Sequence, residues 1–92
     1  MIRLCACVDT EALFHSQAVS RFRHIERVAR RKLLQLHATI ELASLRIPPG
    51  NQLEALKADR RGQHSIRIND QWRVCFVWTE VGPTDVEIVD YH

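Results

Sequence analysis

No stretch of this 92-residue sequence approaches the roughly 18 consecutive apolar residues that cross a membrane. Nor does Met1-Ile2-Arg3-Leu4 lead into the apolar segment of about 7–15 residues that marks a secretory leader. A cytoplasmic protein without membrane association is therefore expected. Internal repeats, low-complexity tracts and shifts in composition are also missing, so residues 1–92 read as a single domain. Cysteine is scarce and odd in number. Cys5 and Cys7, two apart on a predicted strand, cannot close an ordinary disulfide, and Cys75 has no partner nearby in sequence. A reducing compartment follows. No second close Cys or His pair supplies zinc-ligand spacing, so the thiols read as small hydrophobes, and neither a metal nor a cofactor is expected.

With 46% hydrophobic and 26% charged residues the composition is that of a folded globular chain. Net charge is only +2, but it is unevenly spread. Arg21 to Lys32 holds six cations and one acid, while Glu80 to Asp90 holds four acids and no cation. Eleven of the thirteen cations are arginine, whose planar fork suits bidentate contact with phosphate. An anionic partner is consistent with this.

Along the chain, residues 2 to 8 suit a first strand, ended by Asp9 or Thr10, either of which can cap a short helix over Glu11 to His15. From Val19 the pattern becomes helical. Phe22, Ile25, Ala29, Leu33, Leu36 and Ile40 recur at three- and four-residue steps, predicting a helix of more than five turns. Its other face carries Arg23, Arg27, Arg30 and Arg31, which suit either plain solvation or a docking surface for an acidic partner or ribosomal RNA. Pro48-Pro49-Gly50 must end any helix that reaches them.

Beyond Gly62, Ser65 to Asn69 alternates polar and apolar, Asn69-Asp70 supplies a turn, and Trp72 to Trp78 continues as strand. Val81 to Thr84 makes another turn before a last strand over Val86 to Val89. The fold class is therefore α+β, an antiparallel sheet with helices on one face. Strand phase groups Arg73 with Cys75 and Val77, opposite Trp72, Val74, Phe76 and Trp78. The apolar set should meet the helix, leaving Arg73 on an open face, where its loss costs little stability. In the last strand, either Tyr91 or the pair Asp90 and His92 shares that face.

The segments Leu56-Lys57-Ala58-Asp59-Arg60, Ser65-Ile66-Arg67-Ile68-Asn69-Asp70-Gln71-Trp72-Arg73 and Val86-Glu87-Ile88-Val89-Asp90-Tyr91-His92 resemble the HigB branch of the RelE-type bacterial toxins, GraT toxins included. The resemblance runs from Asp9 through Pro48-Pro49-Gly50-Asn51 to the last residue. It implies a microbial ribonuclease-like fold, ribosome-dependent cleavage of messenger RNA, and neutralisation by a HigA-type helix-turn-helix antitoxin, with DNA reached only through that antitoxin. Carried over residue by residue, it implies activity at Lys57, Arg60, Arg73, Asp90, Tyr91 and His92. Where some HigB toxins have an aromatic residue before the Ser-Ile pair, this chain has His64. Where they have an arginine in the turn, it has Asn69, with Arg67 nearby.

Cleavage by attack of a 2′-hydroxyl on its own adjacent phosphate needs a base, an acid and positive charge for the crowded phosphorus. Lys57 and Arg73 suit charge stabilisation, Arg60 phosphate positioning, and Asp90, Tyr91 or His92 proton transfer. His92 is favoured because an unperturbed imidazole titrates at about 6.5. Arg67 and His64 join Arg60 as RNA contacts, His64 by stacking on a base, by proton transfer, or serving only as a structural histidine. A competing reading is a non-catalytic module that blocks translation by binding ribosome or RNA. A third is a small regulatory partner of a DNA-binding protein.

Overall fold

The computed structural model describes residues 1–90, so the expectations for Tyr91 and His92 fall outside the described residues. Its centre is the run Trp72–Thr79 (β3), rich in the β-branched and aromatic residues that pack on a pleated surface. His64–Arg67 (β2) pairs antiparallel with one side of β3 and Gly82–Asp90 (β4) with the other. The β2–β3 turn is chemically specified: the Asn69 side-chain oxygen accepts from the backbone N–H groups of Gln71 and Trp72, both at 2.8 Å. At the β3–β4 turn Gly82 has φ +124, and a Cβ there would run into the Met1 carbonyl, so only glycine fits without displacing the first residue.

A two-residue strand, Glu54–Ala55 (β1), adds to the free edge of β2 and makes the order β1-β2-β3-β4. Sequence gave no reason to expect it, since two residues are too short for alternation to register. On the other edge, residues 2–6 lie parallel to β4 through the bridge Cys5↔Val86 and the bonds Arg3 N–H to Pro83 O and Ala6 N–H to Val86 O, both 2.8 Å. The expected first strand is thus a short extended arm. Helix α1 (Val8–Phe14) begins earlier than expected, and its cap is Cys7, whose sulfur accepts from Thr10 N–H at 3.4 Å. The reason lies in Thr10. Its buried hydroxyl accepts from Ile88 N–H at 3.0 Å and so ties the helix to β4 instead of capping it.

Helix α2 is Glu26–Ala38, shorter than the periodicity predicts. Phe22 and Ile25 are buried but precede it, with Phe22 in a 3₁₀ turn and edge-on to Trp72 at 5.6 Å. At the other end Thr39 turns extended, its hydroxyl donating to Gln35 O at 2.6 Å, and Ile40 projects into solvent at 89% exposure. A helix of 13 residues is marginal alone, so packing holds it. Ala29, Leu33 and Leu36 of α2 join Leu13 of α1, Leu45, and Ile66, Val74, Phe76, Val86 and Ile88 of the sheet in one core. Trp72 and Trp78 pack at its margins, as their phase predicts. The architecture is α+β, with both helices on one face of the sheet.

The other face is not open. Pro48-Pro49-Gly50-Asn51 leads the chain through a 3₁₀ turn into β1. Asn51 is fully buried, its amide nitrogen donating to Leu45 O at 3.0 Å and to Gln35 Oε1 at 3.1 Å. It accepts in turn from Lys32 Nζ, an amine whose pKa burial lowers, with Arg31 adding to the effect. This buried polar knot fixes where residues 51–55 meet the sheet edge.

Candidate functional site

Cross-strand partners share a face, so the register Glu54↔Ser65, Ser65↔Cys75 and Cys75↔Glu87 lays one row across all four strands. The adjacent row runs Arg67, Arg73, Val89. Arg73 is 8% exposed. Its Nε donates to Ser65 Oγ at 2.7 Å, and its Nη2 to Gln52 O at 2.6 Å. Gln52 offers that carbonyl from a left-handed conformation, φ 45, at the end of the Pro49–Asn51 turn. The expectation of an open-face Arg73 is therefore corrected: the 51–55 segment folds over it and supplies an acceptor.

Two like charges, Arg67 and Arg73, face each other directly across β2 and β3, a destabilising arrangement. Arg67 is ion-paired to Asp70 in the turn. Among the described residues, Arg73's hydrogen-bond partners are neutral, so its charge is held in place without being cancelled at contact. Arg60 approaches the Cys75–Glu87 pair from the Ala58–Arg60 turn, with Nη1 3.5 Å from Glu87 Oε1 and 3.1 Å from Gln63 Oε1. The buried Cys75 thiol registers this surrounding. Burial pushes its pKa up, Arg60 and Arg73 pull it down, and Glu87 and Glu54 push it up.

The structure thus groups Arg60, Arg67 and Arg73 on one side of the sheet. Lys57 stands exposed at the entry to the Arg60 turn. Asp90 does not join the Arg73 row, because it pairs with Trp72 in the opposite phase, and its carboxylate accepts from Gln71 Nε2 at 3.0 Å. His64 also lies in the opposite phase, stacked on Phe76 with centroids 6.2 Å apart. Arg27, Arg30 and Arg31 of α2 and Arg23 just ahead of it form a separate surface beyond the core. Arg23, Arg27, Arg30 and Arg31, with His24, Glu26 and Leu34, line an open cavity of about 650 Å³. Arg30 is committed to the protein itself, donating to Leu13 O and Gln17 O and pairing with Glu26 at 2.8 Å.

Sequence reading missed Glu54, Glu87, Ser65 and Gln52 as members of this site. Glu87 could have been found, since alternation along Val86-Glu87-Ile88-Val89 puts it in phase with Val89. Gln52 could not, because it contributes only a backbone carbonyl.

Residues 13–92 match the profile of the HigB-like toxins, RelE-like toxins of type II toxin-antitoxin systems. The chain belongs to this family. It is also 45% identical over 56 residues to Toxin HigB-1 of Vibrio cholerae serotype O1, across 61% of this chain. The aligned part spans 59% of that relative's length. The HigB-like toxin fold accounts for the α+β architecture, and the match includes all the sheet strands and α2. Among the described residues no helix is long and apolar enough to cross a membrane.

Proposed function

We propose that this HigB-like toxin is a ribosome-dependent endoribonuclease of the cytoplasm that cuts messenger RNA during translation and is neutralised by a HigA-type antitoxin. The observation that carries the reading is Arg73, a buried guanidinium held by neutral acceptors beside Arg60 and Arg67. A positive charge fixed in a partly desolvated setting stabilises charge that develops on a phosphate, and needs no rearrangement to do so. With Nε and Nη2 already engaged, Arg73 contributes mainly its field. Arg60 grips a phosphate oxygen directly, exchanging its half-exposed Glu87 partner for the substrate.

In the proposed step a base removes the 2′-hydroxyl proton and the oxygen attacks the adjacent phosphorus. An acid then protonates the departing 5′-oxygen, leaving a cyclic phosphate and a 5′-hydroxyl end. Lys57 adds positive charge at the rim. Asp90, Tyr91 and His92 are the proton carriers the family resemblance implies, with His92 first. The ribosome would supply substrate geometry that a chain of net charge +2 does not organise alone. Arg23, Arg27 and Arg31 are proposed contacts to ribosomal RNA, weakening as salt rises. Arg30 supports them by fixing α2 to α1.

Mapping of messenger RNA 5′ ends after brief induction tests the reading. The parent should produce new in-frame ends, while Lys57→Ala and a chain lacking Tyr91-His92 should produce few. Each removed catalytic interaction is expected to cost about 10²–10³ in rate. Intact transcripts under stalled ribosomes would replace the nuclease with a translation blocker. Efficient digestion of unstructured RNA without ribosomes would make it a general ribonuclease.

A further inference from the structure

A fully buried serine between two neighbouring strands calls for a reason, because its hydroxyl gives up water and a β-branched or apolar side chain would pack there better. Ser65 of β2 is such a residue. It faces Glu54 on β1 and Cys75 on β3. Its hydroxyl makes one side-chain hydrogen bond among the described residues, accepting from Arg73 Nε at 2.7 Å. No part of the proposed cleavage step uses that hydroxyl.

The bond sits where it controls most. A guanidinium carries its N–H groups in one rigid plane, so holding Nε fixes the roll of that plane together with the torsions that lead to it. Nη2 of Arg73 reaches the carbonyls of Gln52 at 2.6 Å and of Ser65 at 3.4 Å. Nε and Nη2 are thus spent on the protein. Nη1 has no hydrogen-bond partner among the described residues, and it is not sealed from solvent, His64 Nδ1 being the one buried side-chain atom left unpaired there. Nη1 is the nitrogen that remains for a substrate oxygen.

The same row shows what the hydroxyl prevents. Glu54 is exposed on the Arg73 face, with no ion pair among the described residues, one strand spacing of about 4.8 Å from Ser65. An arginine without its Nε anchor would swing onto that carboxylate, and the paired charges would present far less field to a phosphate. We propose that Ser65 is a positioning residue for the cleavage step, acting through Arg73: its hydroxyl holds the guanidinium away from Glu54 and leaves Nη1 turned to the phosphate. This rests on the ribonuclease reading.

The test measures cleavage by the full-length protein in a translation reaction built from purified ribosomes and messenger RNA, and follows the Arg73 Nε–H by NMR in the free protein. Ser65→Ala should lower kcat about 10–100-fold and leave KM for the ribosomal complex unchanged, since the charge is kept and only its placement is lost. In the same variant the Nε–H resonance, slow to exchange in the parent, should move and exchange rapidly. Ser65→Thr restores the hydroxyl on a strand-forming side chain and should recover both readouts. A lower unfolding midpoint with kcat and the Nε–H signal both unmoved would make Ser65 merely structural and overturn the proposal. So would a folded Ser65→Thr as slow as Ser65→Ala. Should neither variant fold, the parent decides alone: slow exchange of the Arg73 Nε–H supports the clamp, and rapid exchange overturns it. If the parent makes no cuts at all, the ribonuclease reading fails and Ser65 has no step to serve, while a signal that moves in Ser65→Ala still reports the clamp itself.

Discussion

Removing Arg73 should cost the protein stability as well as activity. In Arg73→Ala, the Nε bond to Ser65 Oγ at 2.7 Å and the Nη2 bond to Gln52 O at 2.6 Å disappear together. Hydrogen bonds from a charged group contribute about 1.5–3 kcal/mol each, which puts the upper bound for two near 6 kcal/mol. Removing Arg73 also relieves its repulsion with Arg67, and water entering the vacated space satisfies the Gln52 carbonyl in part. Ser65, fully buried, keeps its hydroxyl without a donor. The expected loss is therefore about 2–4 kcal/mol, a large share of the roughly 5–15 kcal/mol that holds a domain together. With a urea m-value of about 1–3 kcal/mol per molar, the unfolding midpoint should fall by about 0.7–4 M. Arg73→Lys should recover only part, since an ammonium on an unbranched stem cannot reach both acceptors in the plane a guanidinium spans. Equilibrium urea unfolding followed by circular dichroism measures this. A midpoint within about 0.2 M of the parent would mean that Arg73 is a surface cation after all. The practical consequence is that a non-toxic Arg73→Ala variant says nothing about chemistry unless its folded fraction is known, whereas Lys57→Ala is a clean probe.

Asn51→Ala should destabilise by about 3 kcal/mol or more, because it leaves the Lys32 amine and the Leu45 carbonyl buried without partners, and thermal unfolding would register a lower midpoint. Gly82→Ala should lose about 1–3 kcal/mol through backbone strain and displacement of Met1, which a urea titration can detect. The Cys5 thiol is pushed up to about 11 from 9.0 by burial first, then by Glu11 and Cys7. An unfolded chain loses that proton from pH 9 upward while the folded one retains it. The associated stability is therefore complete below pH 9 and drains away as pH rises towards 11. Cys5→Ala should flatten that alkaline decline in a pH series of unfolding curves, and an unchanged slope would remove Cys5 as a contributor.

Much of the sheet was readable because its periods are simple. The Trp72 to Trp78 alternation, the Asn69-Asp70 turn and the paired tryptophans all sit where strand phase puts them. The helix was overextended because Phe22 and Ile25 continue the 3.6-residue stripe although the backbone there is not yet α-helical, and both reach the same core by another path. Helical spacing identifies a buried face, and a 3₁₀ turn can share it. Arg60, Arg67 and Arg73 were found as cations, but their environment was not. What covers Arg73 is a main-chain carbonyl and a segment fixed by the Lys32–Asn51 knot, and neither leaves a trace in the spacing of side chains. Asp90 shows the opposite difficulty. It sits in a motif with Tyr91 and His92, yet strand phase assigns it to the Trp72 side.

The parallel arm along β4 carries a consequence for synthesis. Cys5 bridges to Val86, and Thr10 receives the Ile88 amide, so the first and the ninth decades of the sequence complete one another. Contacts of such long sequence separation form late, because the whole intervening chain must be ordered before they contribute. While residues 86 to 88 are still inside the ribosome that makes them, α1 lacks its anchor and β4 lacks both its neighbours. A nascent chain is therefore incomplete at the sheet edge until residues 86 to 88 have left the ribosome, so the finished fold, and any activity that needs it, appears only after this segment has been made.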